Sequence, residues 1–459
     1  MIHISTSFAL LVVAIIILVC IAGSRLSGRL GVPTLFIFIM LGMLFGSDGI
    51  FKIPFGNFAL AEQVCSVALI FIMFYGGFGT RWSEAKPVAG RSILLSSAGV
   101  VLTAFLTGLF CHLVLKMALM EGMLLGAVLG STDAASVFSI LRSRKLNLKY
   151  GTASMLELES GSNDPFAYMM TVILLSAMTG SVSGGSAVLL LIRQLAFGLL
   201  TGAAVAWLVT WLLKRYAFYG EGFDTIFVFA AAIISYALAS QIGGNGYLSV
   251  YLTGIILGNQ ELKNQKALVG FFDAFTGMMQ MLLFFLLGLL AFPSQMPSIV
   301  LPAIAIALFL TFVARPAAVG LLLAPSKPPI GQYLVISWAG LRGAASIVFA
   351  IMATLSEGYM KYDIFHIVFC VVLFSIIFQG SLLPKVAEKC DMIDNSTDVM
   401  RTFSDYTGDM QIQFVQLPIG DNHPWKNRKI CEIEMLPGML ITVIRRGAQT
   451  IVPKGQTVI

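Results

Sequence analysis

Apolar runs of about twenty residues, the length that crosses the hydrocarbon core of a bilayer, recur along most of the chain. Charged residues make up only 11% of its 459 residues, against about 25% in ordinary soluble domains. A soluble protein of this length would instead show helices with a single apolar face. The chain is therefore predicted to be an all-α polytopic membrane protein.

Hydropathy predicts thirteen membrane spans, at 7–24, 33–47, 59–78, 92–118, 122–141, 151–178, 186–213, 224–242, 246–259, 268–291, 297–324, 332–356 and 363–384. Sixteen Lys and Arg residues fall in one set of alternate loops and three in the other. Because positive residues accumulate in cytoplasmic loops, this bias predicts an outer N-terminus, a cytoplasmic C-terminus and an odd number of crossings. The first span carries its positive charges after the apolar run, which predicts a retained helix rather than a signal peptide.

Composition changes at residue 391, where the chain becomes polar. Two stretches then alternate in polarity, QIQFVQL at 411–417 and LITVIRR at 440–446, a pattern that predicts strands. We therefore expect a transmembrane domain at 1–390, followed at 391–459 by a linker and the start of a small cytoplasmic α/β module. The chain ends within this module, so a longer parent protein is expected.

Cysteine and histidine patterns give no sign of a metal centre. The six cysteines lack metal-ligand spacing, and the four histidines are scattered without an HExxH motif. The many Phe and Met side chains are interpreted as packing or lipid-facing residues. We expect no cofactor, no nucleic-acid partner and no resident metal.

An internal repeat links two distant spans. GSTDAAS at 130–136 and GLRGAAS at 340–346 share a glycine and an Ala-Ala-Ser at identical spacing. The spans that contain them are seven crossings apart, so the two copies run in opposite directions. Inverted repeats with interrupted helices are typical of secondary transporters. A charge in each motif, Asp133 and Arg342, favours a functional role over the packing of small residues alone.

The stretch ESGSNDP places several polar side chains inside the sixth span. On a helix, Ser160 and Asp164 are neighbours four residues apart, and Glu159 and Asn163 form a second such pair on another face. Pro165 leaves one carbonyl of this helix without its amide partner, which weakens the helix there. Carboxylate, hydroxyl and carbonyl oxygens together suit an alkali cation.

The interior charges are expected to balance by pairing. A lone ionised side chain at the bilayer centre costs about 2.5–3.5 kcal/mol, so Glu159 is predicted to pair with Arg342. Asp133 is another interior acid, and Glu157 lies closer to the cytoplasm. Asp164 then remains as the acid that exchanges a proton for a cation.

The combination of GSTDAAS, ESGSNDP and GLRGAAS resembles the first family of bacterial monovalent cation:proton antiporters. Within that family the chain most resembles the cell-volume-regulation A group of potassium/proton antiporters. The likeness covers nearly the whole membrane region, and the tail from about residue 401 is similar to the C-terminal subdomain of potassium-conductance regulators. One departure is Ala134, where much of the wider family has proline.

The resemblance implies a role for each matching residue. Asp164 would carry the proton and the cation in alternation. The residues implied to add oxygens are Thr132, Asp133 and Ser160, and those implied to form a supporting ion pair are Glu159, Asn163 and Arg342. It also implies a homodimer in a bacterial inner membrane, elevator-like motion of a six-helix core, and a small regulatory ligand for the C-terminal module.

These inferences predict a secondary active transporter, not an enzyme, that exchanges potassium for protons. The exchange is expected to be electroneutral, because Asn163 stands where electrogenic relatives have a second carboxylate. Exchange of sodium or lithium on the same fold remains an alternative, and so does a gated cation channel. An intramembrane aspartyl protease is disfavoured because its glycine-rich motif is missing.

The remaining charged residues in or near spans are given structural interpretations. Arg193, Asp273 and Arg315 are interpreted as structural pairs or interfacial side chains whose stems lie in the bilayer. Glu62 is interpreted as a structural residue near a helix end, with a vestibule as the alternative.

Overall fold

The computed structural model describes residues 6–30, 33–143, 146–182, 184–215, 221–262, 264–356, 358, 360–394, 417, 419–420, 423–433, 441–446 and 449–459. Helices dominate these residues. The first nine are Thr6–Leu30 (α1), Thr34–Phe45 (α2), Phe58–Gly79 (α3), Trp82–Ala85 (α4), Ala89–Leu94 (α5), Val100–Leu113 (α6), Leu119–Val128 (α7), Ala134–Ser143 (α8) and Thr152–Met178 (α9). The next ten are Gly184–Arg215 (α10), Glu221–Gln241 (α11), Gly246–Gly258 (α12), Gln265–Leu290 (α13), Met296–Phe309 (α14), Arg315–Leu323 (α15), Ile330–Trp338 (α16), Ala344–Thr354 (α17), Ile364–Phe374 (α18) and Ser381–Lys389 (α19).

Eight helical runs among the described residues are long and apolar enough to cross a membrane, by length and composition alone. They are Leu10–Ser27, Phe58–Gly79, Ala89–Leu113, Gly184–Arg215, Gly222–Gln241, Gln265–Leu290, Pro293–Ser326 and Ile364–Lys389. Shorter apolar helices are α2, α7, α12 and α17. Each of the thirteen predicted spans contains a helix. The number of membrane crossings and the side on which each terminus lies stay predictions.

Several helices begin at a side chain that satisfies their first free amides. Asn57 accepts a hydrogen bond from the Leu60 amide at 3.0 Å, and Asn245 accepts one from the Leu248 amide at 3.0 Å. Such caps are needed because the first four amides of a helix have no partner within it.

Three of the long helical runs contain a π-helical turn. These turns are Leu95–Gly99 between α5 and α6, Leu310–Ala314 between α14 and α15, and Ser375–Gly380 between α18 and α19. The first packs against α9, and the second ends where Arg315 begins α15. Because π-helical turns widen a helix locally, they often occur beside functional sites.

The membrane unit is held together by close helix contacts at glycine. Helix α3 packs against α12, where a Cβ added at Gly254 would lie 2.3 Å from the Phe74 carbonyl oxygen. Helix α2 packs against α13 in the same way, and a Cβ at Gly42 would lie 2.1 Å from the Phe285 carbonyl oxygen. Small residues of this kind let membrane helices approach closely enough for backbone contact.

The chain divides into two compact units, Met1–Gly408 and Asp409–Ile459. In the second unit, Ile444–Arg446 (β1) and Gln449–Ile451 (β2) pair antiparallel, with Ile444 opposite Ile451. Strand β1 contains the last three residues of the LITVIRR stretch at 440–446, which was predicted to form a strand. The QIQFVQL stretch lies outside the described residues except for Leu417.

Candidate functional site

Two helix breaks lie at the two copies of the sequence repeat. Residues 129–133 separate α7 from α8, and residues 339–343 separate α16 from α17. The breaks touch each other, because the Asp133 amide donates a hydrogen bond of 2.7 Å to the Leu341 carbonyl. The prediction that both motifs interrupt a helix is confirmed, and the backbone groups freed by each break lie next to the other break.

Asp133 begins the second half of the first broken helix. Its Oδ1 accepts a hydrogen bond from the Ser136 amide at 3.2 Å, and its Oδ2 accepts one from the Ser136 hydroxyl at 2.5 Å. This is the geometry of an N-cap, in which a carboxylate also complements the positive end of the helix dipole. Asp133 therefore has a structural role in addition to facing the cavity described below.

Helix α9 is fixed to the first break by polar side chains on one side. The Ser160 hydroxyl donates to the Thr132 carbonyl at 2.5 Å. The Asn163 amide group bonds Thr132 twice, accepting from its backbone amide at 3.2 Å and donating to its hydroxyl at 2.5 Å. The Ser131 hydroxyl donates to Asp164 Oδ1. The structure thus brings together Thr132, Ser160 and Asp164, the residues to which the family resemblance assigns a role in ion binding, and adds Ser131.

Asp164 faces a cavity of about 290 Å³. Its walls carry three further acids, Asp133, Glu157 and Asp273, together with the hydroxyls of Thr132 and Ser160. On α3 and α9 the lining residues lie in the halves of the helices that adjoin the basic residues Arg81 and Lys149. By the positive-inside rule, this is the predicted cytoplasmic side.

Asp273 belongs to the cavity wall, where it accepts a hydrogen bond of 3.0 Å from the Tyr75 hydroxyl. The sequence interpretation of Asp273 as a structural or interfacial residue did not place it there. The available signal was its position about one and a half turns inside the predicted span 268–291, where an acid is unusual.

Glu159 pairs with Arg315, and the predicted pair with Arg342 is wrong. The distance from Glu159 Oε1 to Arg315 Nη1 is 2.6 Å, and the two side chains are 1% and 5% exposed. Arg315 reaches Glu159 because it directly follows the π-helical turn at Leu310–Ala314. Of the two interpretations given to Arg315 from the sequence, a structural pair and an interfacial side chain, the structure has the structural pair, although its partner Glu159 was not predicted.

Arg342 instead stabilises the first break. Its Nη1 donates hydrogen bonds to the Leu129 carbonyl and, at 3.1 Å, to the Ser131 carbonyl. These carbonyls are free because the helix ends there, and a guanidinium is a rigid, multiple donor suited to them. Asn163 is likewise bonded to Thr132, so the predicted group of Glu159, Asn163 and Arg342 does not form.

Among the described residues, the two helix breaks and the ion pair beside them hold three acids and two bases, while Glu157 and Asp273 in the cavity wall are further acids outside this set. Asp133, Glu159 and Asp164 are the acids, and Arg315 and Arg342 are the bases. One proton or one monovalent cation therefore brings their formal sum to zero. Such a set is suited to alternate occupancy by either ion, because unbalanced charge within the membrane is costly.

The approach of the two breaks leads to a prediction at Gly343. A Cβ added there would lie 2.5 Å from the Asp133 Cβ, so Gly343→Ala must displace the capping residue of α8. We expect ion exchange to fall at least about tenfold, since shifting reactive groups by about 1 Å commonly costs that much or more. Proton flux in proteoliposomes measures the effect. Gly90→Ala in α5 is the matched control, because a Cβ there meets nothing within 4 Å. Full activity of Gly343→Ala would contradict the prediction.

Comparison with known protein families gives an extensive match. The model of the family described as "Sodium/hydrogen exchanger, transmembrane" matches residues 14–389. The chain is 36% identical over 382 residues to the K(+)/H(+) antiporter NhaP of Alkalimonas amylolytica, covering 83% of this chain and 66% of that protein. It is 33% identical over 456 residues to the K(+)/H(+) antiporter NhaP2 of Shewanella sp. strain MR-4, covering 97% and 78%. The matched region thus covers 66% of the length of the first of these relatives and 78% of the second.

A solved structure shows the same fold. The sodium proton antiporter MjNhaP1 from Methanocaldococcus jannaschii, determined at pH 8, superposes with a TM-score of 0.72. The match covers 83% of this chain and 99% of that one, at 23% sequence identity.

Proposed function

The chain belongs to the transmembrane sodium/hydrogen exchanger family, and from that premise we propose that it exchanges potassium for protons by alternating access at Asp164. Potassium is supported by relatives at 33% and 36% identity that are named K(+)/H(+) antiporters. The observation that carries the site is the position of Asp164. It faces the 290 Å³ cavity beside the two crossed helix breaks, where hydroxyl and carbonyl oxygens gather.

Asp164 is proposed to bind one ion at a time. When it is protonated, the site is neutral and holds no cation. When the proton leaves, its carboxylate and the oxygens of Ser131, Thr132 and Ser160 are available to a dehydrated alkali cation, which prefers hard oxygen ligands. Competition of both ions for one carboxylate couples their transport, because the empty, charged site is costly to move through the membrane.

Asn163 supports electroneutral exchange. Its amide is held to Thr132 by two hydrogen bonds, so this position keeps the break in place and carries no titratable charge. Each half-cycle then moves one positive charge, a proton in one direction and a monovalent cation in the other. The membrane potential therefore does no net work on the cycle, whereas one net charge would add about 2.3 kcal/mol at 100 mV.

Several further properties are part of the same proposal. The basic side of the cavity is assigned to the cytoplasm of a bacterial inner membrane, with the N-terminus outside. A homodimer and elevator-like motion are proposed from the family resemblance, and a small regulatory ligand is proposed for the C-terminal module as the start of a regulator-type domain.

The proposal predicts proton movement without current. Purified protein in liposomes should show proton flux driven by a potassium gradient, measured with a trapped pH-sensitive dye. The same proteoliposomes on a solid-supported membrane should give no steady current. Current that scales with the flux would show that a second acid also carries protons, with Asp133 and Glu157 as the candidates.

The ion series separates the alternative functions. Potassium, sodium, lithium and rubidium gradients are compared at equal ionic strength, because relatives of this fold are also named sodium antiporters. Larger flux with sodium or lithium would replace potassium as the substrate. Potassium flux that continues without a proton counter-flux would instead identify a channel.

A further inference from the structure

Helix α3 connects the cavity with the opposite face of the membrane. Tyr75 and Gly76, near the end of α3, line the cavity that contains Asp164. Glu62 lies near the start of the same helix, about 20 Å from Tyr75 along its axis. The loop before this end of α3 contains Lys52, which is one of the three basic residues in the loops predicted to face outward. Glu62 is thus a carboxylate on the side that the cavity does not reach.

Glu62 contacts one hydroxyl directly, that of Ser66, and through it is linked to a group of tyrosines. The Ser66 hydroxyl donates a hydrogen bond of 2.8 Å to Glu62 Oε1. The Tyr247 hydroxyl of α12 is directed to Ser66 and to Tyr236 of α11. The charge of Glu62 also acts on Tyr236 and on Tyr168 of α9. The charge of Glu62 also acts on Cys65, which is buried one turn further along α3.

The tyrosine rings fill the layer between Glu62 and the ion site. Tyr247, which is 2% exposed, lies edge-on to Tyr168 with ring centroids 5.1 Å apart, and at the same centroid distance from Tyr236. Phe349 of α17 packs against both Tyr168 and Tyr247. Tyr168 lies one helical turn beyond Asp164, so the aromatic cluster begins directly beside the proposed carrier.

We propose that Glu62, Ser66, Tyr168, Tyr236 and Tyr247 form the second access route, through which cation and proton reach Asp164 from the face opposite the cavity. The proposal rests on the proposed antiport function. Packing alone does not account for the cluster, because phenylalanine would fill the same space without a hydroxyl that needs a partner in the membrane. The cluster is closed in this structure, with the rings of α9 and α17 in contact with the ring of α12.

Glu62 acts in this route as the entry residue. A carboxylate in a narrow, low-dielectric passage raises the local concentration of cations and protons. The tyrosine hydroxyls next to it provide neutral oxygens along the passage. Opening requires the rings on α9 and α17 to separate from Tyr247, which exposes Asp164 to this side while the wall formed by α3 and α13 closes the cavity.

The test measures affinity separately at each face. Membrane vesicles of both orientations carry the wild type, Glu62→Gln, Tyr247→Phe or Glu62→Asp. In Glu62→Gln, the half-saturating potassium concentration at the Glu62 face is expected to rise about tenfold, the lower end of the effect of a charged cleft on local ion concentration. The value at the cavity face should stay unchanged. Tyr247→Phe should slow exchange, and Glu62→Asp should retain most of the wild-type affinity because it keeps the acid.

Matched variants make the outcome specific. Glu84→Gln removes an exposed carboxylate that pairs with Arg81 at 3.5 Å, and it should change neither face. Asp273→Asn should raise the half-saturating concentration at the cavity face instead. The second access route would be overturned if Glu62→Gln changed the half-saturating potassium concentration equally at both faces, or at neither face. The proposed exchange would still stand in that case, because the wild type would remain active. Absence of exchange in the wild type would overturn the proposed function itself.

Discussion

Asp164→Asn is expected to abolish cation–proton exchange and to leave the protein folded. Asparagine has nearly the shape of aspartate and keeps an oxygen that accepts the hydrogen bond of the Ser131 hydroxyl. It neither binds a transportable proton nor supplies the negative charge that a bare cation needs in the membrane. Proton flux in proteoliposomes under a potassium gradient should therefore fall to the level of empty liposomes.

The control for this change is the same substitution at an exposed aspartate. Asp391 pairs with Lys149 at 2.9 Å with its side chain 94% exposed, so Asp391→Asn should retain exchange. Thermal unfolding of both variants in detergent should match the wild type. Exchange by a folded Asp164→Asn protein at more than a small fraction of the wild-type rate would remove Asp164 as the carrier.

Arg315→Ala is expected to produce the largest loss of stability among the charged residues. It leaves the Glu159 carboxylate, whose side chain is 1% exposed, without its counter-charge. Breaking a buried ion pair from one side typically costs about 3–5 kcal/mol, because the remaining charge is uncompensated. Adding Glu159→Gln removes that charge and should recover part of the free energy of unfolding. Thermal and denaturant unfolding of the two single variants and the double variant give the coupling energy.

The same cycle at Arg342 separates the two arginines. Arg342 bonds the carbonyls of Leu129 and Ser131, and Glu159 makes its direct ion pair with Arg315, so Glu159→Gln should rescue Arg342→Ala much less than it rescues Arg315→Ala. The opposite result would be that Glu159→Gln rescues the stability of Arg342→Ala while its effect simply adds to that of Arg315→Ala. Glu159 would then be paired with Arg342, as the sequence predicted, and not with Arg315.

Much of the architecture could be predicted because membrane length and hydropathy are local properties. The two breaks could be predicted as well, since GSTDAAS and GLRGAAS put small and capping residues where a helix must stop. Helical spacing also predicts that Ser160 and Asp164 share a face of α9, whereas their contact with the first break was implied only by the family resemblance.

Contacts between distant helices could not be predicted in the same way. Helical periodicity shows which residues share a face, but it does not show which other helix that face meets. Arg315 and Arg342 were equal candidates for Glu159 by charge, and the π-helical turn before Arg315 has no clear sequence signal. Asp273 was missed for the same reason, because its place in the cavity wall depends on how α13 packs against α3.

The hydrogen bond between Asp133 and Leu341 has a consequence for the thermodynamics of transport. It joins one broken helix to the other, and Arg342 of the second break also holds Leu129 and Ser131 of the first. In the proposed mechanism, the oxygens assigned to the ion therefore belong to one mechanical unit, which we expect to keep its internal geometry when it moves. The intrinsic dissociation constant for the cation should then be equal at the two faces. Any sidedness in apparent affinity must come from the fixed walls, and the transporter itself favours neither uptake nor extrusion.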